Sequence, residues 1–231
     1  MPTMLVTTLV LAALIGATAA PATPPRPPAK FVAHVTNPWF PLRPGTAYRY
    51  TGTKDGEPTR DVVTVTRKTK VIQGVRCTVV RDVLYVRGRV DERTADWYAQ
   101  AADGTVWYFG EATAEFDEHG KVVSREGSWQ AGVDGARAGI FMPLHPKVGQ
   151  TFQPEYYKGH AEDYFKVLSL SARVTTPYTS STRALRTKEW TPLEPGVVDN
   201  KVYVRGVGIV KERTVKGGDE RSQLISVARS S

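Results

Sequence analysis

The chain has one cysteine, four histidines and no apolar run long enough to span a bilayer, and each scarcity excludes something. A lone thiol, Cys77, makes no internal disulfide, so a folded domain here must rest on its own core. Cys77 also stands deep in the chain, so no cysteine follows the apolar start where a lipid could be attached. It alternates with Val75 and Val79 and reads as a small buried hydrophobe rather than a reactive thiol. His34, His119, His145 and His160 are too scattered for metal-ligand spacing, and neither metal nor cofactor is expected.

Charge is absent before Arg26. Met4 to Ile15 is an apolar run of twelve, short of the roughly 20 residues that cross a bilayer. It ends in small residues, and Ala17-Thr18-Ala19 fits a signal-peptidase site with cleavage before Ala20. The expectation is a signal peptide over 1–19, a secreted product, and no membrane span. Five prolines between Pro21 and Pro28 favour extended, solvated backbone, so 20–30 reads as a tether. Residues 31–231 read as a single β-rich domain, with no later shift of composition.

A hydrophobic share of 41% and a charged share of 23% fit an ordinary globular protein. The net charge of +8 comes from 31 Lys and Arg against 23 Asp and Glu. In an exported protein such a field attracts anionic envelope polymers, although interspersed acids such as Asp91-Glu92 also suit an unspecialised solvated surface. No nucleic-acid-binding module is recognisable, and nucleic acid is not an expected partner.

From Ala47 onward the apolar period is two rather than 3.6. Asp55-Gly56 and Asp103-Gly104, flanked by alternating segments, predict hairpins with tight type I′ turns. His119-Gly120 and Gly217-Gly218 read as further turns. Helical period is nearly missing; Glu155 to Phe165 comes closest, and Gly159 limits it to one or two turns. The fold class is therefore all-β with few short helices, an antiparallel meander curled into a barrel, half-barrel or sandwich. Such a sheet commonly encloses a pocket.

The aromatics cluster. Asn37-Pro38-Trp39-Phe40-Pro41-Leu42 precedes the first long strand, and Trp97-Tyr98 and Trp107-Tyr108-Phe109 flank the Asp103-Gly104 turn. Neighbours on a strand point to opposite faces, so each Trp-Tyr pair serves both sides of the sheet. Trp97, Trp107, Tyr108, Trp129 and Tyr156 are candidate ligand-binding residues for a small molecule, lipid or glycan, in competition with plain core filling.

A second cluster runs from Pro154 to Tyr164. If Gly159 to Phe165 is extended, His160 and Glu162 share a face, and an acid–base set for a hydrolase or lyase would take His160 or His145 as base and Glu155, Glu162 or Tyr157 as partner. Glu115, Asp117 and Glu118 read as solvated carboxylates at a turn. Gly127-Ser128 lacks the residue that a nucleophile elbow places between its glycine and serine. Gly206-Val207-Gly208 precedes no helix and so holds no phosphate at a helix start.

Asn37-Pro38-Trp39-Phe40-Pro41-Leu42-Arg43-Pro44-Gly45, Asp96-Trp97-Tyr98-Ala99-Gln100, Val106-Trp107-Tyr108-Phe109-Gly110-Glu111 and Thr191-Pro192-Leu193-Glu194-Pro195-Gly196 together resemble a family of secreted, mainly actinobacterial proteins without an assigned activity. The likeness spans most of the domain and implies an exported bacterial protein, with no catalytic residue to carry over. More loosely, the region around Tyr203 to Gly208 looks like the half-barrels of periplasmic lipoprotein carriers, a likeness of fold alone. Two functions follow as expectations: a binding module for an apolar or glycan ligand of the cell envelope, or a secreted enzyme using a His/Glu/Tyr site.

Overall fold

The computed structural model describes residues 26–230, so the expected signal peptide and the first part of the tether lie outside the described residues. Sixteen strands and no helix make up this part of the chain. They are β1 (Phe31–Val32), β2 (Thr46–Lys54), β3 (Glu57–Ile72), β4 (Val75–Val86), β5 (Arg89–Ala101), β6 (Val106–Phe116), β7 (Val122–Ser124) and β8 (Trp129–Gln130). The second half contributes β9 (Arg137–Met142), β10 (Thr151–Phe152), β11 (Glu155–Tyr156), β12 (Tyr164–Thr175), β13 (Ser180–Trp190), β14 (Val198–Val204), β15 (Gly208–Lys216) and β16 (Arg221–Arg229).

All pairings are antiparallel, as the sequence-local hairpins predict. The ladder runs from β10 through β12 to β16, passes to β2, and continues through β6 to β9 and β11. The join between β16 and β2, with Leu224 opposite Tyr50, brings the two ends of the domain together. The sheet curls but stays open, a half-barrel.

Turn chemistry explains most of the hairpins and corrects one. Asp55 and Gly56 both take positive φ, 51° and 75°, as a type I′ turn requires. At Asp103-Gly104 only the glycine does, and the N–H of Gly104 donates to the Ala101 carbonyl in a looser four-residue loop. Gln73-Gly74 and Arg87-Gly88 are positive-φ pairs without Asp or Asn, which is why composition did not mark them. The helical turns expected within Glu155 to Phe165 are absent; β11, a turn and a bridge between Tyr157 and Ala161 take their place.

Alternation sorts β5 and β6 into two layers. Tyr98 and Tyr108 pair on the concave face with rings stacked at 4.6 Å, while Trp97, Trp107 and Phe109 are buried on the convex side. There Lys70 Nζ lies 3.2 Å from the Trp97 ring centroid, and Phe31 of β1 meets Phe109 edge-on. Cys77 is buried on this face too, and burial pushes its thiol up to about 12, the inert condition expected of it.

The segment 36–45 closes one end of the curl. Gln100 Oε1 accepts the N–H groups of Thr36 and Asn37, and Asn37 Nδ2 donates to the Gly104 carbonyl at 2.9 Å. Across the opening, the Gly206 N–H donates to the Pro38 carbonyl and Tyr48 Oη to that of Pro41. The Asn-Pro-Trp-Phe-Pro-Leu motif is thus a plug strung from the β5–β6 loop to the β14–β15 turn. Phe40 drops inward onto Tyr98 and Phe141.

Candidate functional site

The half-barrel and its plug enclose a cavity of about 900 Å³. Its floor is aromatic, with Phe40, Tyr98, Tyr108 and Phe141 packed ring to ring at 4.5–5.9 Å. Its walls are acidic. Thirteen Asp and Glu line the cavity, and among the Lys and Arg only Lys201 does. Ten of the thirteen sit on strands, where the period-two register turns Asp61 of β3, Asp82 of β4, Glu92 and Asp96 of β5, Glu111 of β6 and Glu212 of β15, among others, inward.

A bulge shapes one of the acidic clusters. Asp96 pairs with Glu111 but Tyr98 with Tyr108, so β6 spends one extra residue there. Gly110 absorbs the kink at φ 124°, where a Cβ would fall 2.2 Å from the Trp129 carbonyl oxygen. The consequence is that Tyr108 and Glu111, three apart, both turn inward. Tyr108 Oη lies 2.7 Å from Asp96 Oδ1 and 3.1 Å from Glu111 Oε2. Burial pushes the Asp96 carboxyl up to about 7 and that of Glu111, with Asp96 beside it, to about 8. Burial together with Asp96 and Glu111 holds the Tyr108 hydroxyl well above its usual range.

The same cause acts around the wall. Burial raises Glu155 well above the carboxylate range, reinforced by Asp163, and brings Glu212 to about 7. Burial and Asp82 raise Asp61, whose Oδ1 is buried without a hydrogen-bond partner among the described residues. Burial alone would pull Lys201 down. Glu189 at 2.9 Å and Glu212 at 3.4 Å more than offset it and hold the ammonium charged.

The sequence-derived candidates divide. Tyr108 lines the cavity; Trp97, Trp107, Trp129 and Tyr156 do not. Trp97 and Trp107 point to the convex face, and Trp129 lies behind Tyr108, edge-on at 5.4 Å. Across the neighbouring strands Val79 faces Trp97 and Ala99 faces Trp107. Tyr156 packs near Arg137 of β9 instead.

The acid–base candidates are only partly brought together: His160 stacks on Tyr157, Glu155 lines the cavity, and His145 lies apart. The turn at 158–160 takes the place of an extended strand. Glu162 Oε2 there accepts the Gly159 N–H at 3.3 Å and does not line the cavity. His160 sits at the cavity rim, 48% exposed, 3.1 Å from Glu126 Oε1 and stacked on Tyr157. His145 is exposed in the β9–β10 connection, away from the cavity. Asp117 accepts the N–H groups of His119 and Lys121, the turn role expected of it, while Glu115 turns into the cavity. No metal-holding cluster occurs among the described residues.

No family model matches the chain, and no curated protein does. Two solved structures are similar in fold. One is a candidate exported protein with a YmcC-like fold from Bacteroides fragilis, 13% identical, covering 83% of this chain and 99% of its own, at a TM-score of 0.49. The other is a candidate lipoprotein from Parabacteroides distasonis, 9% identical, covering 82% and 98%, at a TM-score of 0.46.

Proposed function

We propose that this is an exported binding protein that takes a small amine-bearing molecule into its half-barrel, the ring or alkyl portion on the aromatic floor and the ammonium among the carboxyls. The observation that carries the reading is the cavity's one-sided charge, thirteen acids against Lys201, in a chain whose net charge is +8. A wholly apolar ligand would strip water from these carboxyls without replacing the lost hydrogen bonds, at about 1–3 kcal/mol for each group left unpaired. An ammonium donates to them and favours their ionised form. Tyrosine and phenylalanine rings beneath it supply stacking for a sugar ring and cation–π attraction. Among envelope glycans, the fitting class is the amino sugar with a free amine.

The test is calorimetry and thermal shift with a glucosamine tetramer, its fully N-acetylated counterpart and a long-chain fatty acid. Only the free-amine oligomer is expected to bind, with proton release at pH 7 as Asp96 and Glu111 ionise. Equal binding of the acetylated oligomer, or binding of the fatty acid alone, overturns the proposal.

One observation favours a second reading, a hydrolase: Asp96 and Glu111, joined through Tyr108, are two carboxyls of raised affinity for protons at the base of a cavity. Turnover of chromogenic amino-glycosides, abolished by Glu111→Gln, would support it. Absence of turnover in a protein that still binds the free-amine oligomer would remove it.

A further inference from the structure

The acids gathered in the cavity leave the rest of the molecule strongly basic. Of 31 Lys and Arg and 23 Asp and Glu, the cavity takes one and thirteen, so the remaining surface carries 30 and ten, a net of +20. Part of this excess, six Lys and Arg, is ordered on the convex side of β12 to β16. Inward-facing Glu189, Lys201 and Glu212 force their neighbours outward, and on those outward positions the registers build a row. Lys166 stands opposite Lys188, Asn200 opposite Arg213, and Arg213 opposite Arg221. Arg186 and Lys211, both opposite Val202, form a second row beside it.

Within the fold the rows are compensated only by neutral groups: Lys188 Nζ lies 5.0 Å over the Trp190 ring and Arg221 Nε donates to Thr53 Oγ1 at 3.1 Å. Like charges directly opposite each other on a sheet are destabilising, and two such pairs occur here. None of the six cations is within ion-pair distance of a carboxylate among the described residues, where Lys and Arg pair only as Lys54–Asp91, Arg87–Glu57 and Lys201 with Glu189 and Glu212. Lys166, Arg186, Arg213 and Arg221 are exposed.

We propose that this band is a docking strip for a linear phosphate-bearing polymer. Four strand steps at ~4.8 Å carry the first row across about 19 Å, the length of a few repeats of a polyphosphodiester. The row runs around the curl of the half-barrel. A flexible chain follows that curvature, whereas a bilayer meets a convex face along a narrow line. Three guanidiniums suit phosphate in particular, because their planar fork matches two of its oxygens. The strip lies on the outer face of the sheet that forms the cavity, so a docked polymer leaves the acidic interior clear. The strip stands independently of the ligand proposed for the cavity.

The experiment uses the full chain without its first 19 residues and long-chain inorganic polyphosphate as probe, with affinity measured against salt. The variant Lys166→Gln, Lys188→Gln, Arg213→Gln, Arg221→Gln removes the first row. A control replaces four exposed cations elsewhere, Lys68, Arg76, Lys121 and Lys147, also by glutamine. The row variant is expected to bind at least tenfold more weakly and with a flatter salt dependence, while the control stays within about threefold of the parent. Thermal unfolding of both variants checks that they are folded, and relief of the two like-charge pairs makes the row variant no less stable than the parent. Equal loss in both variants would mean attraction by net charge alone and overturns the strip. Binding to phosphatidylglycerol vesicles without binding to polyphosphate overturns it in favour of a membrane surface.

Discussion

Tyr108 has one proton to donate and two carboxyl oxygens within reach, Asp96 at 2.7 Å and Glu111 at 3.1 Å. Both contacts are hydrogen bonds only if one carboxyl keeps its own proton and donates it back to the phenol oxygen. Their raised affinities supply that proton near neutrality. The linkage has a definite sign. Below about pH 4, Glu111 is protonated in both folded and unfolded chains and the penalty vanishes. As pH rises toward its folded value of about 8, the unfolded chain alone releases the proton, and folding loses stability until the folded group ionises too. Glu111→Gln keeps the shape and a donor for Tyr108 without the titration. It is expected to stabilise the protein at pH 8 by on the order of 1–3 kcal/mol and to leave it unchanged at pH 4. Urea unfolding at the two pH values checks this, and a loss of stability at pH 8 would contradict it. The role of this trio was not legible in the sequence, because Asp96 and Glu111 come together only through a register and a bulge. The signal that could have found it is the alternation itself: Glu92, Asp96 and Tyr98 are even-numbered on one strand, the set opposite to Trp97.

At the scale of elements, alternation told which residues share a face but not which face is concave. The period of two and the glycine turns were enough for the all-β class and for the tight hairpin at Asp55-Gly56. They also placed one aromatic on each side of β5 and β6. The tryptophans on the convex side are buried because β1 and Lys70 cover them, a layer that no strand pattern announces. The plug was visible as a motif but not as a lid, since the partners that span the curl, from Gln100 to Gly206, are 63 to 168 residues away. Asn37, 1% exposed, ties it down: its amide donates to the Gly104 carbonyl, and its carbonyl oxygen accepts the Trp39 N–H at 2.9 Å. Asn37→Ala leaves both of those groups buried and unpaired. A loss of about 2–3 kcal/mol is expected in urea unfolding, and Phe40 should become mobile enough to weaken ligand binding. A variant with undiminished stability would mean that the plug is held by its apolar contacts alone.

The whole molecule separates its charges, acids inside the curl and cations outside, and this sets how its stability responds to pH. Asp96, Glu111 and Glu212 hold protons to about pH 7 or 8, whereas the same groups in an unfolded chain release them near pH 4. Between these limits the folded state binds more protons than the unfolded one, so stability must fall as pH rises. Lys201 does not reverse the trend. Its folded value is raised, so its contribution is fully present below its unfolded value of about 10.4 and stays flat across this window. Nearly three protons released on unfolding near pH 6, one from each group, correspond to a slope of roughly 3–4 kcal/mol per pH unit. The urea midpoint is therefore expected to drop between pH 5.5 and 8 and then level off, as the cavity carboxyls ionise in the folded state. A bound ammonium should reverse part of that drop, most at pH 8, because it pairs with carboxylates that otherwise repel one another. A midpoint that rises with pH across this range would show that the cavity carboxyls are already ionised and paired in the folded protein, and would remove the electrostatic basis for an amine ligand.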